Sequence, residues 1–225
     1  MLHRLRSVLV RPGRERLAGV VEVDESYFGG EEPGLAGGRA KGKKVLVGVA
    51  VERKEPSGFG RCRMAPLIDA SADELRAFLA DNVEPGARVV TDGWGPYRPA
   101  TAELYVHEPI PGASGPQAHK LLPGVHKVSS LAKRWLLGTH QGSVDEAHLP
   151  GYLNEFVFRF NRRRSRSRGL VFYRVLELAA AHDPVRYRDL IANPRPSAAP
   201  RQPPRNSGRP PSLERPPAGR PWRAG

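Results

Sequence analysis

Cysteine is almost missing from this chain: Cys62 is the only one among 225 residues. A single thiol excludes an internal disulfide framework and a cysteine-based zinc site, which fits a reducing compartment such as the cytoplasm. Long apolar runs are also missing. Nothing approaches the roughly 20 consecutive apolar residues that a membrane-spanning helix needs. At the N-terminus, Leu2, Leu5, Val8 and Leu9 are scattered at helical spacing between arginines. They form no compact apolar block, which argues against a secretory signal. Acidic residues are outnumbered, 23 against 36 Lys and Arg, for a formal net charge of +13. Such an excess calls for a polyanionic partner, nucleic acid first and an acidic membrane surface second.

The charge is unevenly placed. Pro194 to Gly225 holds seven Arg, one Glu and ten Pro, a net of +6. That segment has too little apolar surface to offset the entropy of ordering, so a disordered Pro/Arg-rich tail is expected over 194–225. The remaining +7 falls on residues long enough to build one sizeable core.

What the sequence does have is organised around Val20–Gly30. Val, Tyr and Phe favour a strand, Glu22, Asp24 and Glu25 sit inside it, and Gly29-Gly30 lets the chain turn where it stops. Side chains alternate along a strand, so Asp24 and Glu25 cannot serve one site. These carboxylates are either the wet face of an edge strand or, at Asp24, a group that pairs or binds a cation on a central strand. The following Gly- and Lys-rich stretch, Glu31 to Lys44, reads as a hairpin connection or a basic loop near phosphates.

Val45–Val51 reads as a strand buried on both faces, and Gly60–Ile68 as a third strand. Ser71 and Glu74 form a capping box that opens a helix running to about Asn82. Ala87–Trp94 is a fourth, short strand with Asp92 at its C-terminal end, the end at which ligands bind in open α/β sheets. Tyr105–His107 suggests a fifth. Pro109 to Gly124 is a long irregular loop, of a length more often functional than structural. Helices then follow from Val125, from about Asp145 to Phe160, and from about Leu170 to Ala181. The expected fold is a mixed α/β sheet flanked by helices, with the fourth strand joining in parallel.

Several segments carry a resemblance. They are Val21–Glu25 followed by Tyr27–Gly30, Thr91–Trp94 followed by Tyr97, Leu122–His126, Leu131–Gly142, Tyr152–Phe156 and Phe158–Arg163. In this order and spacing the chain resembles insertion-sequence transposases of the DDE superfamily, in the ISXO-like branch, from about Leu2 to Asp183. The resemblance implies an RNase H-like catalytic domain over 19–183, after an N-terminal helical remnant at 1–18. It implies first and fourth strands side by side, with Asp24 and Asp92 sharing Mg²⁺ or Mn²⁺ ions. Two such ions activate the attacking oxygen and stabilise the leaving one in phosphodiester displacement. The family's third position, commonly Glu or Asn, opens a helix, and here it is His126, 34 residues after Asp92. Imidazole suits Mn²⁺ better than Mg²⁺. Glu155 is the other candidate for that corner.

Lys133, seven residues beyond His126 and two helical turns on, matches a basic DNA-contacting position, and Arg134 adjoins it. Arg159, Arg162, Arg163, Arg164, Arg166 and Arg168 crowd a helix end. They read either as phosphate contacts or as cations favoured by the helix dipole. Trp94 can stack on a base, whereas Trp135 reads as core. His107 and His140 read as structural histidines, and Glu22 and Glu25 as surface or supporting groups. The implied function is DNA cleavage and strand transfer by a homo-oligomer on transposon ends and target DNA, in the bacterial cytoplasm at the nucleoid. The family's N-terminal zinc and DNA-reading region is expected to be missing. An inactive DNA-binding remnant and a nuclease without strand transfer are the alternatives.

Overall fold

Five strands form one mixed sheet in the order β3-β2-β1-β4-β5. The strands are β1 (Val20–Phe28), β2 (Val45–Arg53), β3 (Phe59–Leu67), β4 (Arg88–Thr91) and β5 (Val106–Pro109). The first three are an antiparallel meander, whereas β4 pairs in parallel with β1 and β5 in parallel with β4. This is the RNase H-like plan expected from the sequence, with β1 at the centre. The computed structural model describes residues 5–29 apart from 7 and 12, 44–110 apart from 55, 118–140 and 147–181. All belong to one compact unit, Met1–Asn193. Part of the expected N-terminal helical remnant, almost all of the Gly/Lys-rich loop and all of the tail lie outside these residues.

Helices cover both faces: α1 (Ala72–Asn82), α2 (Tyr97–Thr101), α3 (Ala118–Leu121), α4 (Pro123–His140), α5 (Leu149–Asn161) and α6 (Arg168–Ala180). The alternation of β2 sorts the core. Val45, Val47, Val49 and Val51 pack with Val125, Val128 and Ala132 of α4 and Leu153, Phe156 and Phe160 of α5. Leu46 and Ala50 pack on the opposite face with Leu75, Phe78 and Leu79 of α1 and Tyr97 of α2. Gly48 is small for a reason: a Cβ there would lie 3.2 Å from both Leu67 and Phe78. No helix among the described residues is long and apolar enough to cross a membrane.

Two local features differ from expectation. Strand β4 ends at Thr91 rather than running through Trp94. The Asp92 carboxylate accepts the Trp94 N–H at 2.9 Å and Gly93 takes φ +79°, which together turn the chain out of the sheet. The five-residue α2 was not foreseen, because Pro96 and Pro99 in so short a stretch read as turn residues. Ser71 caps α1 as its sequence suggests, accepting the Glu74 N–H at 3.4 Å.

Candidate functional site

The central strand separates its carboxylates by parity. Val21 and Val23 enter the core beneath α1 and α2, whereas Phe28 enters the core beneath α4 and α5. Glu22, Asp24 and Ser26 share the parity of Phe28 and face α4. Glu25 faces the other way, towards Tyr97. Burial first and the Glu25 carboxylate second raise the fully buried Tyr97 hydroxyl well above its ordinary pKa.

Glu22 holds α4 against this strand. It is completely buried, and one carboxylate oxygen accepts the backbone N–H groups of Gly124 at 2.6 Å and Val125 at 3.0 Å. Its other oxygen pairs with Arg53 Nε at 2.6 Å, and Arg53 also donates to the Leu121 carbonyl at 3.2 Å. A carboxylate on the free N–H groups of a helix start is favoured by hydrogen bonding and dipole alike. Position 124 must be glycine for the approach, since a Cβ would lie 2.8 Å from Glu22 Oε2. Glu22 is therefore an interior anchor, not a surface group. The signal for it was present: Glu-x-Asp puts both acids on one strand face, and Pro123-Gly124 opens the helix they meet.

That anchor fixes His126 in the first turn of α4, where Nε2 lies 3.9 Å from Asp24 Oδ2. This exceeds hydrogen-bond length. His126 Nε2 is buried without a hydrogen-bond partner among the described residues. Loss of water is the main cause of its lowered pKa, so the ring is neutral at pH 7. Two turns on, Lys133 Nζ donates to Ser26 Oγ at 2.7 Å and lies 5.3 Å from the Phe28 ring centroid. Three consecutive same-face residues of β1 thus line up beneath one stripe of α4: Asp24 below His126, and Ser26 and Phe28 below Lys133.

Asp92 reaches the same place from the neighbouring strand. Glu22 with Val90 is the last pair of the β1–β4 ladder, and Asp92 follows two residues later, just past the end of β4 at Thr91. Its interaction with Asp24 is visible in the Asp24 carboxyl, whose pKa rises to about 7. Burial is the largest cause, followed by the Glu25 carboxylate, with Asp92 adding to it. The Glu25 N–H, 2.9 Å from Asp24 Oδ1, and Lys133 oppose the rise. Behind Asp92, Thr91 Oγ1 accepts the Gly93 N–H at 3.1 Å and hydrogen-bonds His107 Nε2 at 2.9 Å. His107 thus supports the turn that carries Asp92, a role that nothing in the linear sequence points to.

The other candidates fall elsewhere. Both oxygens of Glu155 are engaged, one with Arg6 Nε at 2.7 Å and the other with Arg159 Nη1 at 3.1 Å. Its helix α5 packs on β3, at the far edge of the sheet from the β1–β4 pair. Arg163 donates to the carbonyls of Phe59 at 2.6 Å, Gly60 at 3.1 Å and Phe160 at 2.8 Å. It ties β3 to the end of α5. Arg162 stacks 3.7 Å from the Phe158 ring centroid. Arg134 and Arg164 are exposed. Trp94 is exposed next to Asp92. Trp135 packs against the core, 6.0 Å from the Phe156 centroid. The side chain of His140 is outside the described residues.

Among the described residues no three His, Cys, Asp or Glu side chains converge closely enough to form a ready metal cage. The donor set around Asp24 nevertheless suits a divalent cation. Asp24 and Asp92 each turn Oδ1 to a backbone N–H and keep a second oxygen, and the buried neutral Nε2 of His126 stands beside them. A carboxyl whose pKa is raised by burial and by neighbouring carboxylates, as that of Asp24 is, is relieved by a dication, and mixed carboxylate–imidazole donors favour Mn²⁺ over Mg²⁺.

A family model described as the ISXO2-like transposase domain matches residues 16–161. No curated protein matches the chain. Among solved structures, a chain in the cryo-EM structure of a simian T-cell lymphotropic virus intasome in complex with PP2A regulatory subunit B56 gamma is similar, at 12% identity and a TM-score of 0.44. The likeness covers 91% of this chain and 63% of that one.

Proposed function

Since the chain belongs to the ISXO2-like transposase domain family, we propose that it cleaves DNA strands and transfers the 3′ end into target DNA. The observation that supports this reading is Asp24 on β1 with His126 Nε2 3.9 Å from its Oδ2, while Asp92, just past the end of the adjacent parallel strand β4, helps raise the Asp24 pKa. Asp24 and Asp92 would hold the divalent cation, Mn²⁺ or Mg²⁺, with His126 as the third donor. Such an ion, when bound, polarises the scissile phosphate and eases deprotonation of the attacking water or 3′-hydroxyl.

The protein's own groups do the rest. Glu22 keeps His126 at a fixed distance from Asp24 by clamping the start of α4, and Arg53 neutralises that buried carboxylate. Lys133, oriented by Ser26, presents a cation to the DNA backbone on the same strand face as Asp24. Arg134 next to it and the exposed Arg159 and Arg164 add phosphate contacts of the sequence-independent, salt-sensitive kind. Arg162 and Arg163 act first in the fold, and their charge adds to DNA affinity. The catalytic domain is assigned to 19–183, and the Arg-rich 194–225 adds general affinity for DNA. Assembly as a homo-oligomer on DNA follows from the need to bring two ends to one target.

The test is an oligonucleotide assay with the full chain, in which a pre-cut end with a free 3′-hydroxyl is supplied with labelled target duplex. Joined product that requires Mn²⁺ or Mg²⁺ supports transposition chemistry. Cleavage without joining reduces the assignment to a nuclease. DNA binding with neither product leaves only a DNA-binding protein.

A further inference from the structure

A second site lies at the β3 edge of the sheet, with neither Asp24 nor Asp92 in its walls. It is a cavity of about 350 Å³ between residues 9–11, 14 and 15 and β3, α5 and α6. Six arginines line it: Arg11, Arg14, Arg61, Arg63, Arg162 and Arg174. Glu15 is the one acid among the described lining residues. Glu52 and Glu177, each at 2.6 Å, pair with Arg61 and Arg174 from outside, and Asp81 acts on Arg14. Arginines remain in excess after all of these.

Arg63 is the centre of the cluster. It is only 4% exposed. Its Nη1 donates to the Cys62 carbonyl at 2.9 Å and its Nη2 to the Glu15 carbonyl at 2.7 Å. Its Nε is buried with no hydrogen-bond partner among the described residues. Buried donors are nearly always paired, and a charged one left open marks a place for an acceptor. The arginines also act against each other. Burial, then Arg14 and Arg61, hold the Arg63 pKa down to about 10. Burial, then Arg174 and Arg11, lower that of Arg162. Crowded cations in a concave wall are relieved by an anion, and planar guanidinium forks fit phosphate oxygens best.

We propose that this pocket binds a phosphate group, with Arg63 as the buried anchor and Arg14, Arg162 and Arg174 as further donors. Its volume lies at the lower end of the ~300–1,000 Å³ typical of small-molecule sites. That is more than one ion needs, and Leu9, Val10, Val157 and Phe158 supply an apolar wall for the organic part of a phosphate ester. A free phosphorylated small molecule and a DNA backbone phosphate share this chemistry. The proposal does not depend on catalysis at Asp24.

The test is calorimetric titration of the full chain with inorganic phosphate, AMP and a short duplex at constant ionic strength, for wild type, Arg63→Gln and Arg174→Glu. Arg63 also holds two backbone carbonyls. The half-exposed Arg174 therefore serves as the variant that leaves the interior untouched. Saturable binding of phosphate or AMP that weakens at least about tenfold in both variants is expected, from the loss of a charge-assisted hydrogen bond in Arg63→Gln and from charge reversal in Arg174→Glu. Unchanged duplex affinity in Arg174→Glu would identify a free small molecule as the occupant. Duplex affinity that falls with it, and duplex displaced by AMP, would identify the DNA backbone. No saturable phosphate or AMP binding, or equal binding by all three proteins, would overturn the proposal.

Discussion

Asp24→Asn should make this protein more stable while removing a group that the proposed chemistry needs. The Asp24 side chain is 23% exposed, and its carboxyl keeps its proton up to a pKa of about 7 against an ordinary value of 3.8. Below pH 4 the group is neutral in both the folded and unfolded states and contributes nothing. Between pH 4 and 7 the unfolded chain gives up the proton while the folded chain holds it. Stability therefore falls as pH rises, by ~1.4 kcal/mol per pH unit. Three such pH units give ~4 kcal/mol, after which the loss levels off above pH 7. Asparagine keeps the side-chain oxygen that accepts the Glu25 N–H at 2.9 Å and carries no charge. Urea unfolding of both proteins in EDTA from pH 4 to 8.5 measures the difference directly. The two should be equal near pH 4 and diverge in favour of Asp24→Asn towards pH 7, where ~4 kcal/mol corresponds to about 10 °C in Tm. Added Mn²⁺ should narrow the gap by stabilising only the wild type. A variant no more stable than wild type at pH 7, or a gap that widens towards acid, would refute the electrostatic account of the site.

Five positions carry further outcomes. Glu22→Gln should cost about 3 kcal/mol in chemical unfolding, because it leaves Arg53 partly buried without its counter-ion, and Gly124→Ala should cost about 1–3 kcal/mol by crowding the same carboxylate. Arg163→Ala should lower Tm by cutting β3 from α5, whereas Arg134→Ala should leave Tm unchanged and reduce the salt dependence of DNA binding by about one phosphate contact; the same effect of both variants on both measurements would contradict this division. Cys62 is buried with its thiol pushed up to about 12, so a thiol reagent at pH 8 should modify it only as fast as the protein unfolds, and rapid labelling of the native protein would be inconsistent with the core described.

The strands and most helices could be read from local patterns, because β-branched runs, the Ser71–Glu74 capping box and the apolar periodicity of α4 and α5 each specify one period. The pairing of β1 with β4 was implied by the family resemblance, and the parallel ladder bears it out. Contacts that join distant positions were less legible. Glu22 looked like one more strand acid, since its partners Gly124 and Val125 lie more than 100 residues away in sequence. His107 meets Thr91 only because β4 and β5 pair in parallel. The arginine block illustrates the reverse: six clustered guanidiniums suggested phosphate contacts or cations at a helix end, but Arg163 caps strand carbonyls and Arg162 faces a pocket with arginines from three other segments. Charge clustering along the sequence shows that cations are abundant; only packing shows which of them face outward.

The most direct test of the central claim is single-turnover nicking of duplex DNA by the full chain with Mn²⁺, comparing wild type, Asp24→Asn, Asp92→Asn and Glu155→Gln. The account predicts that Asp24→Asn and Asp92→Asn each lose at least about 100-fold in rate, and that Glu155→Gln, whose carboxylate is engaged with Arg6 and Arg159, nicks like wild type. Nicking that survives loss of either aspartate, or that disappears with Glu155→Gln while the protein stays folded, would contradict it.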